Sequence, residues 1–97
     1  MRIISIRILR EFWVYHTDAE NALRAWYYDA KSADWKTPDE IKSKYANASI
    51  LNNNRVVFNI HGNKYRLVVA VNYPFGIIYI RFIGTHQKYD RIDAETI

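Results

Sequence analysis

The sequence has no cysteine, no long apolar run and few histidines, and each shortage removes a class of function. Without cysteine the 97-residue chain has no disulfide, no thiolate metal site and no cysteine nucleophile. That suits a reducing cytoplasm. The three histidines, His16, His61 and His86, lie far apart, and no pattern around them suggests a metal site. No apolar stretch approaches the roughly 18 residues that a membrane span needs. The opening MRIISIRILREF is interrupted by Arg2, Arg7 and Arg10, so it lacks the apolar core of a signal peptide. Internal repeats, linkers and low-complexity segments are also missing. The expectation is a soluble, intracellular protein with no cofactor and no membrane partner.

What is present fits one domain over residues 1–97. A chain of this size buries roughly 60–70% of its unfolded surface, enough for a core without covalent staples. About half the residues are apolar, and three tryptophans stand among eight tyrosines and four phenylalanines, a globular composition. Charge is unevenly placed. Residues 55–91 hold six basic side chains (Arg55, Lys64, Arg66, Arg81, Lys88, Arg91) against one acid, Asp90. The preceding 54 residues hold eight basic and seven acidic, so three of the four net positive charges fall on the second half. A concentrated positive surface on a small scaffold points to a polyanion, most commonly nucleic acid.

The first half has helical periods. Met1 to Ile4 is a candidate strand, and from Ser5 a stripe of Ile8, Phe12 and Tyr15 runs with Leu9, Trp13 and His16 beside it. Thr17-Asp18-Ala19-Glu20 reads as a capping box opening a helix whose apolar face is Leu23, Trp26, Tyr27 and Ala30. Thr37-Pro38-Asp39-Glu40 repeats the signal for a shorter helix through about Tyr45. These aromatics, with Trp35, read as core rather than as a stacking platform. His16 and His61 read as structural, and Lys36, Lys42 and Lys44 as a solvated face. Asn52-Asn53-Asn54 is a turn, after which the period falls to about two.

Gly62-Asn63 between two alternating runs is a two-residue hairpin signal. It predicts Ile60 opposite Tyr65, Asn59 opposite Arg66, Phe58 opposite Leu67 and Val57 opposite Val68. One face then carries Val56, Phe58, Ile60, Leu67, Val69 and Val71 beneath the helices. The other carries Asn59, Arg66, Val68 and Ala70. A slip of one residue would bury Arg66, which fixes the register. In the next strand Ile78, Ile80 and Phe82 are expected to face the helices, leaving Tyr79 and Arg81 beside Arg66. A three-residue loop around Pro74-Phe75-Gly76 would bury the Arg81 guanidinium unpaired, so a longer loop or a bulge is required. The strand is expected to end at Gly84. For residues 92–97, disorder, a short helix and a fold back over the basic face all remain open.

The segments GNKYRLV (Gly62 to Val68) and RFIGTHQKYD (Arg81 to Asp90), in this order and in a chain of this length, resemble the HigB-type toxins of type II toxin–antitoxin pairs, within the RelE-like superfamily. The resemblance extends over essentially the whole chain. It implies an α+β, microbial-RNase-like fold, with N-terminal helices on one face of a twisted antiparallel sheet. It also implies cleavage of mRNA, typically on the ribosome, and neutralisation by a HigA-like antitoxin that carries a DNA-binding domain.

RNA can be cut without a metal when the ribose 2′-hydroxyl attacks its own phosphate. The step needs a base, an acid for the leaving 5′-oxygen, and cations around the phosphorane. By the resemblance Arg66 and Arg81 clamp the phosphate, for which the planar guanidinium fork is suited. His86 is the candidate for proton transfer, since its ordinary pKa lies near working pH. Tyr89 is open to three uses: stacking, orienting the phosphate or delivering a proton. Asn59, Lys64 and Lys88 are further RNA contacts, and Asp90 either orients His86 or an arginine or caps a helix. Two other readings fit the basic face: a module that inhibits translation by occupying RNA or the ribosome, and a scaffold that docks an acidic partner.

Overall fold

The computed structural model describes all 97 residues. Strand β1 (Arg2–Ile4) leads into α1 (Ile6–Tyr15), a 3-10 turn (Thr17–Ala19), α2 (Glu20–Ser32) and α3 (Pro38–Lys44). Strands β2 (Ser49–Ile50), β3 (Arg55–Ile60), β4 (Tyr65–Asn72) and β5 (Ile77–Thr85) follow, and α4 (His86–Tyr89) closes the regular structure. The fold is α+β, as expected. The strands lie in the order β1-β5-β4-β3-β2, antiparallel except that β1 runs parallel to β5, so the sheet is mixed. No helix is long and apolar enough to cross a membrane.

The three N-terminal helices cover one face. Leu9, Leu23, Trp26, Ala30, Trp35 and Ile41 pack on Val56, Phe58, Ile60, Leu67, Val69, Val71, Ile78 and Ile80 in one buried cluster. Phe58 is its centre: Trp26 meets it edge-on at 5.4 Å, Tyr45 edge-on at 5.2 Å, and Trp35 stacks at 6.4 Å. In α1 the buried stripe is rotated from the expected one. Leu9 is fully buried and Phe12, Trp13 and His16 are half-buried, whereas Tyr15 is 86% exposed and Ile8 also reaches solvent. Aromatic bulk at position 15 suggested burial, but Phe12 and His16, stacked at 4.2 Å, occupy the space against Tyr65 instead.

The β3–β4 register is the expected one at all four positions, and it continues through Val56↔Val69 and Arg55↔Ala70. Gly62 has φ +65° and the Lys64 amide donates to the His61 carbonyl, closing the turn. At the next connection both expected devices occur. The loop spans residues 73–76, and a bulge shifts the pairing from Val69↔Ile80 to Val68↔Phe82, leaving Arg81 unpaired and exposed. The bulge reverses the alternation beyond it. Ile83, not Phe82, therefore joins the helix-side core, and Phe82 lies on the opposite face. Its ring covers Gly84, where an added Cβ would meet Phe82 Cζ at 2.6 Å. Only glycine leaves room for that ring.

The second face is not wholly open. Residues 92–97 fold back across it, with Ala94 buried against Val57 and Val68, and Ile92, Ile97, Tyr89 and Phe82 packed around them. Glu95 accepts from the Asn52 amide at 3.0 Å, and the Arg55 guanidinium donates through Nε to the Ile97 carbonyl at 3.0 Å. The sheet thus carries a small second core between two accessible ends.

Candidate functional site

Three elements meet at one of those ends: the start of β4, the end of β5 and α4. Arg66 stands opposite Asn59 on one side and Gly84 on the other, and Tyr65 opposite Thr85. Thr85 caps α4, its Oγ1 accepting from the Lys88 amide at 3.3 Å, and the His86 amide donates to the Lys64 carbonyl at 3.3 Å. The cap needs a hydroxyl just before the first helical residue, and the TH pair supplies it. His86 is thereby fixed about two residue steps, roughly 7 Å, along the strands from Arg66.

The side chains are oriented by short-range bonds. Arg66 Nη1 donates to the Asn63 carbonyl at 2.8 Å, and more weakly to that of Tyr65 at 3.4 Å. Its Nε and Nη2 make no hydrogen bond to protein, so an anion can meet them as a fork. Asn59 Nδ2 donates to Asn63 Oδ1 at 3.2 Å, which anchors the neighbouring amide to the same hairpin. His86 Nε2 lies 3.7 Å from Asp90 Oδ1, one helical turn on. That is too long for a hydrogen bond. Asp90 follows α4 and Thr85 precedes it, so of the two readings of Asp90 the helix N-cap is overturned.

Not every expected residue joins this end. Arg81 sits at the bulge level with Val68, about 7 Å along the sheet from Arg66, and Tyr79 pairs with Ala70, about twice as far. The register set by the four-residue loop removes both from the place beside Arg66. Tyr89 is half-buried in the second core with Phe82 and Ala94, so packing already uses part of its ring. Lys88 is exposed. Lys64 is engaged: its ammonium pairs with Asp18, which also accepts from the Tyr65 hydroxyl at 2.6 Å and lies 3.9 Å from His61 Nε2.

Asp18 is the residue that the sequence reading missed. Thr17 and Glu20 form no capping box; the 3-10 turn enters α2 without a side-chain cap, and Glu20 instead holds Arg24 at 2.8 Å. Asp18 turns to the hairpin base, a long-range partnership that no local spacing announces. Hydrogen bonds from Lys64 and Tyr65 hold its carboxyl down at about 2. The same contact raises the Lys64 and Tyr65 pKa values. Because Asp18 is depressed from 3.8 in the folded chain, its contribution is full above that value and lost as pH falls through about 2. In thermal melts, Asp18→Asn is expected to lie below wild type by a constant gap from pH 7 to about 4. The gap should close between about pH 4 and 2; a pH-independent gap would refute the carboxylate's role.

No group of three or more histidine, aspartate or glutamate side chains gathers as a metal would require. Comparison with known proteins bears on what such an end does. A family model of HigB toxins, described as the RelE-like toxic component of a toxin–antitoxin system, matches residues 19–92. The mRNA interferase HigB of Escherichia coli O6:H1 (strain CFT073) is 26% identical over 94 residues, covering 95% of this chain and 91% of the relative. The matched span includes the hairpin, the bulged strand and α4, the three pieces that build the basic end. The chain belongs to the HigB family of RelE-like toxins, the toxic half of toxin–antitoxin pairs.

Proposed function

We propose that this toxin is a metal-independent endoribonuclease that cuts mRNA on the translating ribosome, in the cytoplasm. The observation that carries the reading is the free Nε–Nη2 edge of Arg66, steadied from behind by the hairpin and placed near the start of α4, where His86 stands. The fork receives two oxygens of the scissile phosphate and stabilises the charge of the phosphorane. A base removes the 2′-hydroxyl proton, the 2′-oxygen bonds to phosphorus, and the bond to the 5′-oxygen breaks with proton delivery to that oxygen. The products are a 2′,3′-cyclic phosphate and a 5′-hydroxyl.

His86 moves the proton, with Asp90 one helical turn away from it. Tyr89, held in the second core, offers a positioned hydroxyl. Arg81 takes a neighbouring phosphate rather than the scissile one, two residue steps along the sheet from Arg66. Asn59 and Lys88 add contacts to the RNA backbone, and Lys64 does so only where RNA displaces Asp18. A cognate HigA-like antitoxin with a DNA-binding domain neutralises the toxin. The test is induced expression in bacteria with 5′-end mapping of mRNA, wild type beside His86→Ala. Discrete cuts within translated frames that vanish in the variant are expected. Growth arrest over intact mRNA would replace cutting by occupancy of the ribosome.

A further inference from the structure

The other accessible end of the sheet has a composition that the reaction does not use. A groove of about 420 Å³ lies there, lined among others by Asn54, Arg55, Ala70, Phe75 and Tyr79. Phe75, at the tip of the β4–β5 loop, is 78% exposed. A single exposed phenylalanine is ordinary, but this one is held in place: its amide donates to Asn72 Oδ1 at 3.2 Å, fixing the loop. Tyr79 stands opposite Ala70, whose methyl leaves the floor between the aromatic wall and Arg55 open.

The arginines near the groove that make no ion pair or side-chain hydrogen bond are Arg2 and Arg81. No carboxylate is among its lining residues; Arg55 is, but its guanidinium is held by the Ile97 and Asn53 carbonyls, and Glu95 stands at the neighbouring Asn52 amide. Arg2 pairs with Ile77 on the parallel strand β1, two residues from Tyr79, and Arg81 lies two residues beyond Tyr79 on the other side. By strand alternation Arg2, Ile77, Tyr79 and Arg81 share the face that carries Ala70. Aromatic walls flanked by arginines and amides are what an unpaired base and its phosphates require, since every base has a face to stack and no sequence need be read.

We propose that this groove is a second RNA subsite, in which Phe75 and Tyr79 stack an unpaired base of the strand whose scissile phosphate lies at Arg66. The inference rests on the RNA-cutting reading above. Arg81, midway between the two ends, bridges them along the backbone. The second core of Val57, Val68 and Ala94 separates the ends, so the RNA follows the β5 side of the sheet, where Arg81 is exposed.

The probe is a 2′-O-methylated single-stranded RNA of about a dozen nucleotides, which spans one such site and resists 2′-hydroxyl attack. Its affinity is read by fluorescence anisotropy for wild type, Phe75→Ala and Phe75→Trp, with melting curves as a folding control. Phe75→Ala should bind about five- to a hundred-fold more weakly with unchanged salt dependence, and Phe75→Trp should bind at least as well as wild type. Equal binding by wild type and Phe75→Ala would overturn the subsite and leave the cutting reading intact. No binding by wild type would likewise overturn the subsite, while cutting on the ribosome is judged by the 5′-end mapping. Full RNA affinity in Phe75→Ala together with escape from the antitoxin would assign the groove to a protein partner and overturn the proposal.

Discussion

Arg66→Ala is expected to lower the cleavage rate by about 10²- to 10³-fold, the usual loss when one preorganised donor to a developing oxyanion is removed. The fold should barely notice. Arg66 contributes hydrogen bonds to the Asn63 and Tyr65 carbonyls at a half-exposed position, worth about 1 kcal/mol or less in stability. Rate and stability are therefore separable at this residue, and Arg66→Lys separates charge from geometry. Lysine keeps the charge but offers a single ammonium where the arginine presents two free donors in a plane, so most of the loss should remain. Single-turnover cleavage of mRNA on programmed ribosomes measures it. Full recovery with lysine would reduce the role of Arg66 to a point charge, and no loss with alanine would remove it from the site.

Phe58→Ala carries the largest expected stability cost, about 3–5 kcal/mol by denaturant unfolding. Phe58 is 1% exposed and is the common partner of Trp26, Trp35 and Tyr45, which come from α2, the segment before α3, and the end of α3. Removing its ring leaves three large side chains facing a hole that rigid aromatics fill poorly. Tyr45 is fixed further by donating to Asp29 Oδ2 at 2.7 Å, which limits its collapse into the space. A cost this large is a substantial share of a small domain's stability, so the variant should melt well below wild type. Phe58→Leu, which keeps most of the volume, should cost markedly less. Equal losses in the two variants would mean that the aromatic cluster is not packed around this ring.

The hairpin was legible because one constraint governs it. Gly62-Asn63 sets the turn, and a one-residue slip would bury Arg66, so local turn chemistry and charge agree on the pairing found. The need for a longer loop or a bulge was legible for the same reason, from the cost of burying Arg81, and the four-residue loop meets it; the bulge beyond was not legible. A bulge exchanges the faces of all later residues, and nothing local distinguishes Phe82 outward with Ile83 inward from the reverse. The face is decided by Phe82 lying over Gly84 and by Ala94 arriving from the tail, two contacts that require the folded chain. Asp18 failed for a similar reason: a carboxylate in a good local capping pattern found stronger partners at Lys64 and Tyr65, some forty-six residues away. At the candidate site the arginine and the histidine were readable as residue types in two motifs. Their spacing was not, because it depends on where the bulge falls.

The central claim is that this sheet presents RNA to an intramolecular 2′-hydroxyl attack, and the ends of the cut strands report on it directly. Purified toxin would be added to ribosomes translating a defined mRNA, and the fragments' termini would be identified chemically. The account predicts 5′-hydroxyl ends and 2′,3′-cyclic phosphates, with no cutting when the scissile nucleotide is 2′-deoxy. Fragments bearing 5′-phosphate and 3′-hydroxyl ends, or undiminished cutting at a 2′-deoxy nucleotide, would contradict it.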